Sequence, residues 1–221
     1  MKPVRIGLFG GSFDPPHIGH QALVHAALDV LNLDAVQVIP VGVPVHRVLS
    51  GQSTAKQRFD WLQRMFADEA SGDRIEVVDW ETASREATPS IVTLHRFVRQ
   101  NPQARPILLL GADAFAHIDT WVDYPQHARL CDVAVFARVG SELSAEATAF
   151  QSVSVTEWKA MARSNAKSGY CVVVQVALPD VSATALRERA QSGEDLTGLV
   201  PACIRSEVEQ AYAFGDKQTD A

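Results

Sequence analysis

Cysteine is scarce in the sequence: Cys131, Cys171 and Cys203 are the three in a chain of 221 residues, and none stands at a spacing that suits a disulfide framework or a zinc site. They are expected to be core thiols in a reducing compartment, the cytoplasm. Positive charge is also short. The 20 Lys and Arg are outnumbered by 26 Asp and Glu, giving a formal net charge of −6. No global field therefore draws the chain to nucleic acid or to an anionic membrane, and a polyanionic substrate must find a local basic pocket. Long apolar runs are missing as well: the stretch after Lys2 and Arg5 breaks at Gly10-Gly11-Ser12, too soon for a signal peptide or a membrane span. There is no internal repeat. What is present is a 47% hydrophobic content, enough for one substantial core. Residues 1–215 are expected to form one domain, followed by a polar, frayed tail over 216–221.

Short runs rich in Val, Ile and Leu recur at Val4 to Phe9, Ala35 to Val41, Ile75 to Val78, Pro106 to Leu110, Asp132 to Ala137 and Cys171 to Val176. Near-continuous apolar character predicts strands buried on both faces, as in a parallel sheet. Helical spacing lies between them. Gly19 to Leu31 carries Ala22, Leu23, Ala26, Ala27, Val30 and Leu31 along one side, and Ser53 or Thr54 is placed to cap a helix through Leu62, Met65 and Phe66. The alternation predicts an α/β fold, a doubly wound, Rossmann-like parallel sheet with its ligand site at the carboxyl ends of the strands. The stretch from Ser141 to Ser168 reads as a surface loop with one short helix.

The first strand runs into Gly10-Gly11-Ser12, and a helix pattern begins near Ile18. Adjacent glycines let backbone amides approach an anion, and a helix N-terminus adds partial positive charge. No Gly-Lys-Ser/Thr follows, so this is not a Walker A loop, and the dinucleotide G-x-G-x-x-G pattern is absent. His17 and His20, three apart, fall on one helix face and can address one phosphate group. A His-x-x-His pair also occurs in metal sites, but zinc wants a third ligand and none is evident, so no protein-held metal is expected.

The segment Phe9-Gly10-Gly11-Ser12-Phe13-Asp14-Pro15-Pro16-His17-Ile18-Gly19-His20 resembles the signature of the nucleotidyltransferase superfamily with the His-x-Gly-His type motif, and specifically that of the bacterial nicotinate-nucleotide adenylyltransferases. The resemblance runs from Val4 to about Phe214. It implies that His17 and His20 contact the triphosphate of ATP, with Gly10, Gly11, Ser12 and Phe13 around it. Val181-Ser182-Ala183-Thr184-Ala185-Leu186-Arg187 resembles a second family motif, in which Ser182 and Arg187 grip phosphate; the plainer reading is a capped surface helix with a solvated arginine. Gly111 and Asp113 resemble a segment beside the ATP ribose and phosphates, although Asp113 could merely cap a helix. Trp121 is similar to a tryptophan that stacks on the acceptor's pyridine ring, and core packing is its alternative. Arg47 stands where the family has a basic residue on the triphosphate, or else in solvent.

Thr88-Pro89-Ser90 occupies the place of the family's Ser-Tyr-Thr, whose amides receive the nicotinate carboxylate. Thr88 is expected to cap a helix with Pro89 at its first position. Pro89 replaces the family's tyrosine and has no amide to donate. The resemblance implies adenylyl transfer from ATP, with Mg²⁺ carried on its phosphates, to a pyridine mononucleotide. Transfer to nicotinamide mononucleotide or phosphopantetheine, or a nucleotide sensor without catalysis, remain the alternatives.

Overall fold

The computed structural model describes residues 4–45, 49–50, 52–67, 72–84, 86–137, 149–161 and 168–213. The apolar runs become strands β1 (Val4–Gly11), β2 (Ala35–Pro40), β3 (Ile75–Val77), β4 (Ala104–Gly111), β5 (Asp132–Ala137), β6 (Gln151–Val153) and β7 (Tyr170–Gln175). Helices α1 (Ile18–Val30), α2 (Ala55–Ala67), α3 (Ser90–Gln100), α4 (Ala112–Phe115), α5 (His127–Leu130), α6 (Val155–Met161), α7 (Ala183–Gln191) and α8 (Ala202–Tyr212) lie between and after them. The seven strands form one sheet in the order β3-β2-β1-β4-β5-β7-β6, with every pairing parallel. The expected α/β fold is therefore present.

Chain order reverses between β1 and β4, which pair through Leu8 and Leu108. Connections leave these two strands in opposite directions, so a crevice opens over their carboxyl ends. Both faces of the sheet are covered. Phe9, Leu28, Val36, Leu62 and Phe66 belong to the core on one face, and Leu8, Leu94, Phe97 and Leu110 to that on the other. A third cluster joins Trp61, Leu186, Ile204, Val208 and Tyr212, so α2 is apolar on two sides: Leu62 and Phe66 look to the sheet, Trp61 to α7 and α8. Burial on this scale stabilises by roughly 1.5–3 kcal/mol per large side chain.

Thr54, not Ser53, begins α2. Its hydroxyl accepts from the Gln57 amide at 3.1 Å while Gln57 Oε1 accepts from the Thr54 amide at 2.9 Å, a reciprocal cap. Ser53 turns inward instead. At the opposite end of the sheet from the crevice, the buried Asp132 carboxylate takes an ion pair from Arg105 at 2.6 Å and hydrogen bonds from Trp158 Nε1 and the Gly169 and Tyr170 amides. It ties α6 and β7 to β4.

Several details differ from expectation. Gly10 and Gly11 belong to β1, in register with Ile39 and Pro40, and the turn starts at Ser12. The stretch from Ser141 to Ser168 does hold a short helix, α6, but also β6, a three-residue edge strand too short and too exposed to give an apolar run. Cys131 and Cys171 are core thiols, but Cys203 is exposed. It lies on α8 one position out of phase with the buried Ile204, Val208 and Tyr212. The tail over 216–221 lies outside the described residues.

Candidate active site

Between β1 and α1 the chain passes through Ser12 to Pro16, and Phe13 sits at φ 49°, a conformation a bulky residue rarely adopts. Packing holds it there. The ring is 2% exposed and lies edge-on to Phe9 at 5.3 Å and to His20 at 4.9 Å. The Phe13 side chain is thus a floor under His20, and any contact with a ligand falls to its backbone.

His17, extended, precedes the first turn of α1, and its amide donates to His20 Nδ1 at 3.2 Å. A neutral His20 that accepts at Nδ1 carries its proton on Nε2, where it is a hydrogen bond donor. The two rings stack with centroids 3.7 Å apart. Gly19 leaves room for the stack: a Cβ there would lie 3.0 Å from His17 Nδ1 and 3.0 Å from Val181 Cγ1 and crowd both. Burial pushes the His17 pKa down to about 4, and burial together with the His17 ring pushes His20 well below its usual value. Both are neutral at pH 7. His17 Nδ1 is buried and has no hydrogen bond partner among the described residues.

Beneath the turn lies a polar hub that sequence reasoning missed. Asp14 accepts from the Ser50 amide at 3.0 Å, the Ser53 hydroxyl at 2.7 Å and the Tyr212 hydroxyl. Burial alone would raise its pKa, but the hydrogen bonds from Tyr212, Ser50 and Ser53 outweigh that and hold it below the usual carboxylate value. Arg58, 0% exposed, donates to the carbonyls of Ser12 at 2.6 Å, Val41 at 2.8 Å and Gly42 at 3.3 Å. The loops leaving β1 and β2 are thereby fixed to α2. One signal for Arg58 was available: it is in phase with Trp61, Leu62 and Met65 on the buried side of its helix.

Arg187 reaches the same turn, donating to the Asp14 carbonyl at 2.7 Å and to Thr184 Oγ1 at 3.1 Å. Two of its five N–H bonds are used in this way. Ser182 caps α7 as expected, accepting from the Ala185 amide at 3.2 Å. The first amide of α1 is not available to an anion, because Ile18 donates to the Leu199 carbonyl at 3.1 Å. Across the crevice, a Cβ on Gly10 or on Gly111 would meet nothing within 4 Å, and neither residue has positive φ. The protein itself has no need of glycine at either place. Asp113, exposed in the first turn of α4, stands at the end of β4.

Thr88, Pro89 and Ser90 lead into α3. Thr88 does not cap it: Pro89 takes that position, with ψ 144°, and the Thr88 hydroxyl lies 3.5 Å from the Glu86 carbonyl. A residue before proline is held to extended backbone, which leaves Thr88 one position too early. Ser90, the first helical residue, bonds through its hydroxyl to His127 Nε2 at 2.9 Å. The half-buried Trp121 meets the His127 ring edge to face at 5.8 Å. Ser90 and Trp121 are thus brought together by His127, which nothing in the sequence singled out. Arg47 lies outside the described residues.

An α/β sheet with a switch-point crevice, paired neutral histidines and an arginine at one turn defines a protein built to handle phosphate groups. The cytidylyltransferase-like family model matches residues 8–189. A probable nicotinate-nucleotide adenylyltransferase of Thermotoga maritima is 30% identical over 208 residues, covering 94% of this chain and 92% of the relative. One of Chromobacterium violaceum is 31% identical over 216 residues, covering 95% and 98%. The Plasmodium falciparum nicotinic acid mononucleotide adenylyltransferase complexed with NaAD shares the fold, with a TM-score of 0.73 at 13% identity over 93% of this chain and 95% of that one. The chain belongs to the cytidylyltransferase-like family, in its nicotinate-nucleotide adenylyltransferase branch.

Proposed function

We propose that the protein transfers the adenylyl group of ATP to nicotinate mononucleotide in the biosynthesis of NAD. A phosphate oxygen of the mononucleotide attacks the α-phosphorus of ATP, the bond to the β-phosphate oxygen breaks, and deamido-NAD and pyrophosphate result. The observation that carries this reading is the stacked pair of neutral histidines, with His20 offering Nε2–H, held beside Arg187 at the carboxyl end of β1. Such a group suits developing charge on the α-phosphate and the leaving pyrophosphate, and no protein nucleophile is required.

In this reading His17, His20 and Arg187 act on the phosphates. ATP lies over Gly10, Gly11, Ser12 and Phe13, whose backbone faces it, with Gly111 and Asp113 on its ribose side and Ser182 and Arg47 at the phosphates. Open space over Gly10 and Gly111 supports that placement. Thr88, Ser90 and Trp121 line the acceptor side. Mg²⁺ would come with ATP, held by phosphate oxygens and keeping several waters. Bound there, it would neutralise phosphate charge. We also take residues 1–215 to act as one domain, and the protein to work in the cytoplasm; no described helix is long and apolar enough to cross a membrane.

A pyrophosphate-release assay with ATP and a panel of mononucleotides tests the proposal. Release is expected with nicotinate mononucleotide, and ATP binding without release for any acceptor would identify a sensor instead. His20→Ala should lower kcat by about 10²–10³ with little change in ATP affinity, as loss of a transition-state donor does. Unchanged turnover would remove His20 from its role.

A further inference from the structure

The acceptor side of this chain has a peculiarity. Pro89 stands where the family resemblance puts a backbone amide, yet α3 starts there without a side-chain cap; the Val92 amide donates to the Pro89 carbonyl at 2.9 Å, which leaves those of Ser90 and Ile91 to receive an anion. Beside them is the Ser90 hydroxyl, whose one hydrogen bond among the described residues is to His127 Nε2, at 2.9 Å. His127 is 0% exposed, and its Nδ1 is buried without a partner. Burial, with the charge of His95 in the same direction, lowers the His127 pKa, while Asp123 works against them; the net effect is a neutral ring.

A neutral imidazole has one N–H, and its position decides what Ser90 can do. With the proton on Nδ1, a buried donor would be left unmade, the rarer and costlier kind of orphan. With it on Nε2, His127 donates to Ser90 Oγ, and the serine hydrogen is directed away from the ring. A serine donates only once, so the imidazole fixes the direction of that donation.

Resting on the adenylyltransferase reading above, we propose that His127 is a positioning residue that makes the Ser90 hydroxyl a fixed donor, replacing the amide absent at Pro89 and selecting an acid over an amide on the acceptor ring. A site of donors alone suits a carboxylate, whose two oxygens both accept. A carboxamide offers one accepting oxygen and an NH₂ that meets a donor head-on. Trp121, in edge-to-face contact with the same imidazole at 5.8 Å, ties the ring-stacking surface to this hydroxyl.

The test compares kcat/KM for nicotinate and nicotinamide mononucleotides in the full chain and in Ser90→Ala, His127→Leu and His127→Gln. Gln can donate N–H from near the Nε2 position and serves as the conservative variant. Ser90→Ala and His127→Leu should each lower the value for the acid by roughly 10-fold or more, leaving the KM for ATP within about twofold and the value for the amide little changed. His127→Gln should restore most of the loss. An equal fall for both acceptors, a shifted KM for ATP, or a Gln variant as impaired as the Leu variant overturns the inference. Should His127→Leu fail to fold, Ser90→Ala and His127→Gln decide it. A wild type that turns over neither acceptor overturns the proposed function, and the inference with it. A wild type that uses the acid, with acceptor preference unchanged in Ser90→Ala, overturns the inference alone.

Discussion

Burial holds His17 and His20 uncharged at neutral pH, and that has a cost in acid. For His17 the unfolded value is 6.5 and the folded value about 4. The unfolded chain therefore takes up a proton first as pH falls, so the stability that His17 contributes is complete above about pH 6.5 and disappears as pH drops through about 4. The unfolding free energies at pH 7 and pH 4, from denaturation curves, should differ by roughly 3 kcal/mol more in the wild type than in His17→Gln. Equal losses would show that the ring is not buried neutral. Glycines separate by the same kind of reasoning. Gly19 is closely confined by the His17 and Val181 side chains, whereas Gly111 faces open space. Gly111→Ala should leave stability within about 0.5 kcal/mol and raise the KM for ATP roughly 10-fold, since the methyl group would occupy ligand space alone. Both histidines were legible from their spacing, but the stack forms with His17 as the extended residue before α1 and His20 in its first turn, not along one helix face. His127 was not, since its partner is 37 residues away and a lone histidine carries no pattern.

Elements divide into those that place the site and those that hold the sheet. Apolar runs announced all the long strands, since buried parallel strands need continuous Val, Ile and Leu. β6 escaped because its pairing with β7 rests on backbone, with exposed Gln151 and Ser152 giving no apolar signal. Asp132 belongs to the holding class: its four partners lie on β4, α6 and the start of β7, at the end of the sheet away from the crevice. Asp132→Ala should cost about 3–5 kcal/mol by taking the carboxylate away from the buried Arg105 guanidinium. KM values for both substrates should stay unchanged below the melting transition. A selective rise in one KM would mean that the pair reaches the site after all.

At the scale of the molecule, segments far apart in sequence meet at one residue, Asp14. Tyr212 on α8 bonds to Asp14 across 198 residues, and Arg187 on α7 bonds to the same residue's carbonyl. Tyr212→Phe should lower stability by about 1–3 kcal/mol, the cost of a charge-assisted hydrogen bond removed from a buried carboxylate, as read from denaturation curves. The KM for ATP should rise as well, because the Asp14 turn also carries His17. If stability falls while that KM stays fixed, hub and turn are independent. Sequence reasoning placed each of these segments yet could not join them, because hydrogen bonds between distant residues leave no periodicity behind.

The Asp14 to Tyr212 bond also sets a clock on biosynthesis. At about 5–20 residues per second a ribosome takes roughly 10–40 s to travel from one residue to the other. The histidine turn is made long before α8, and its carboxylate waits for that helix. A nascent chain stalled before Tyr212 would carry the whole signature motif without the hydroxyl that steadies Asp14, so tight ATP binding is expected only once α8 has been made.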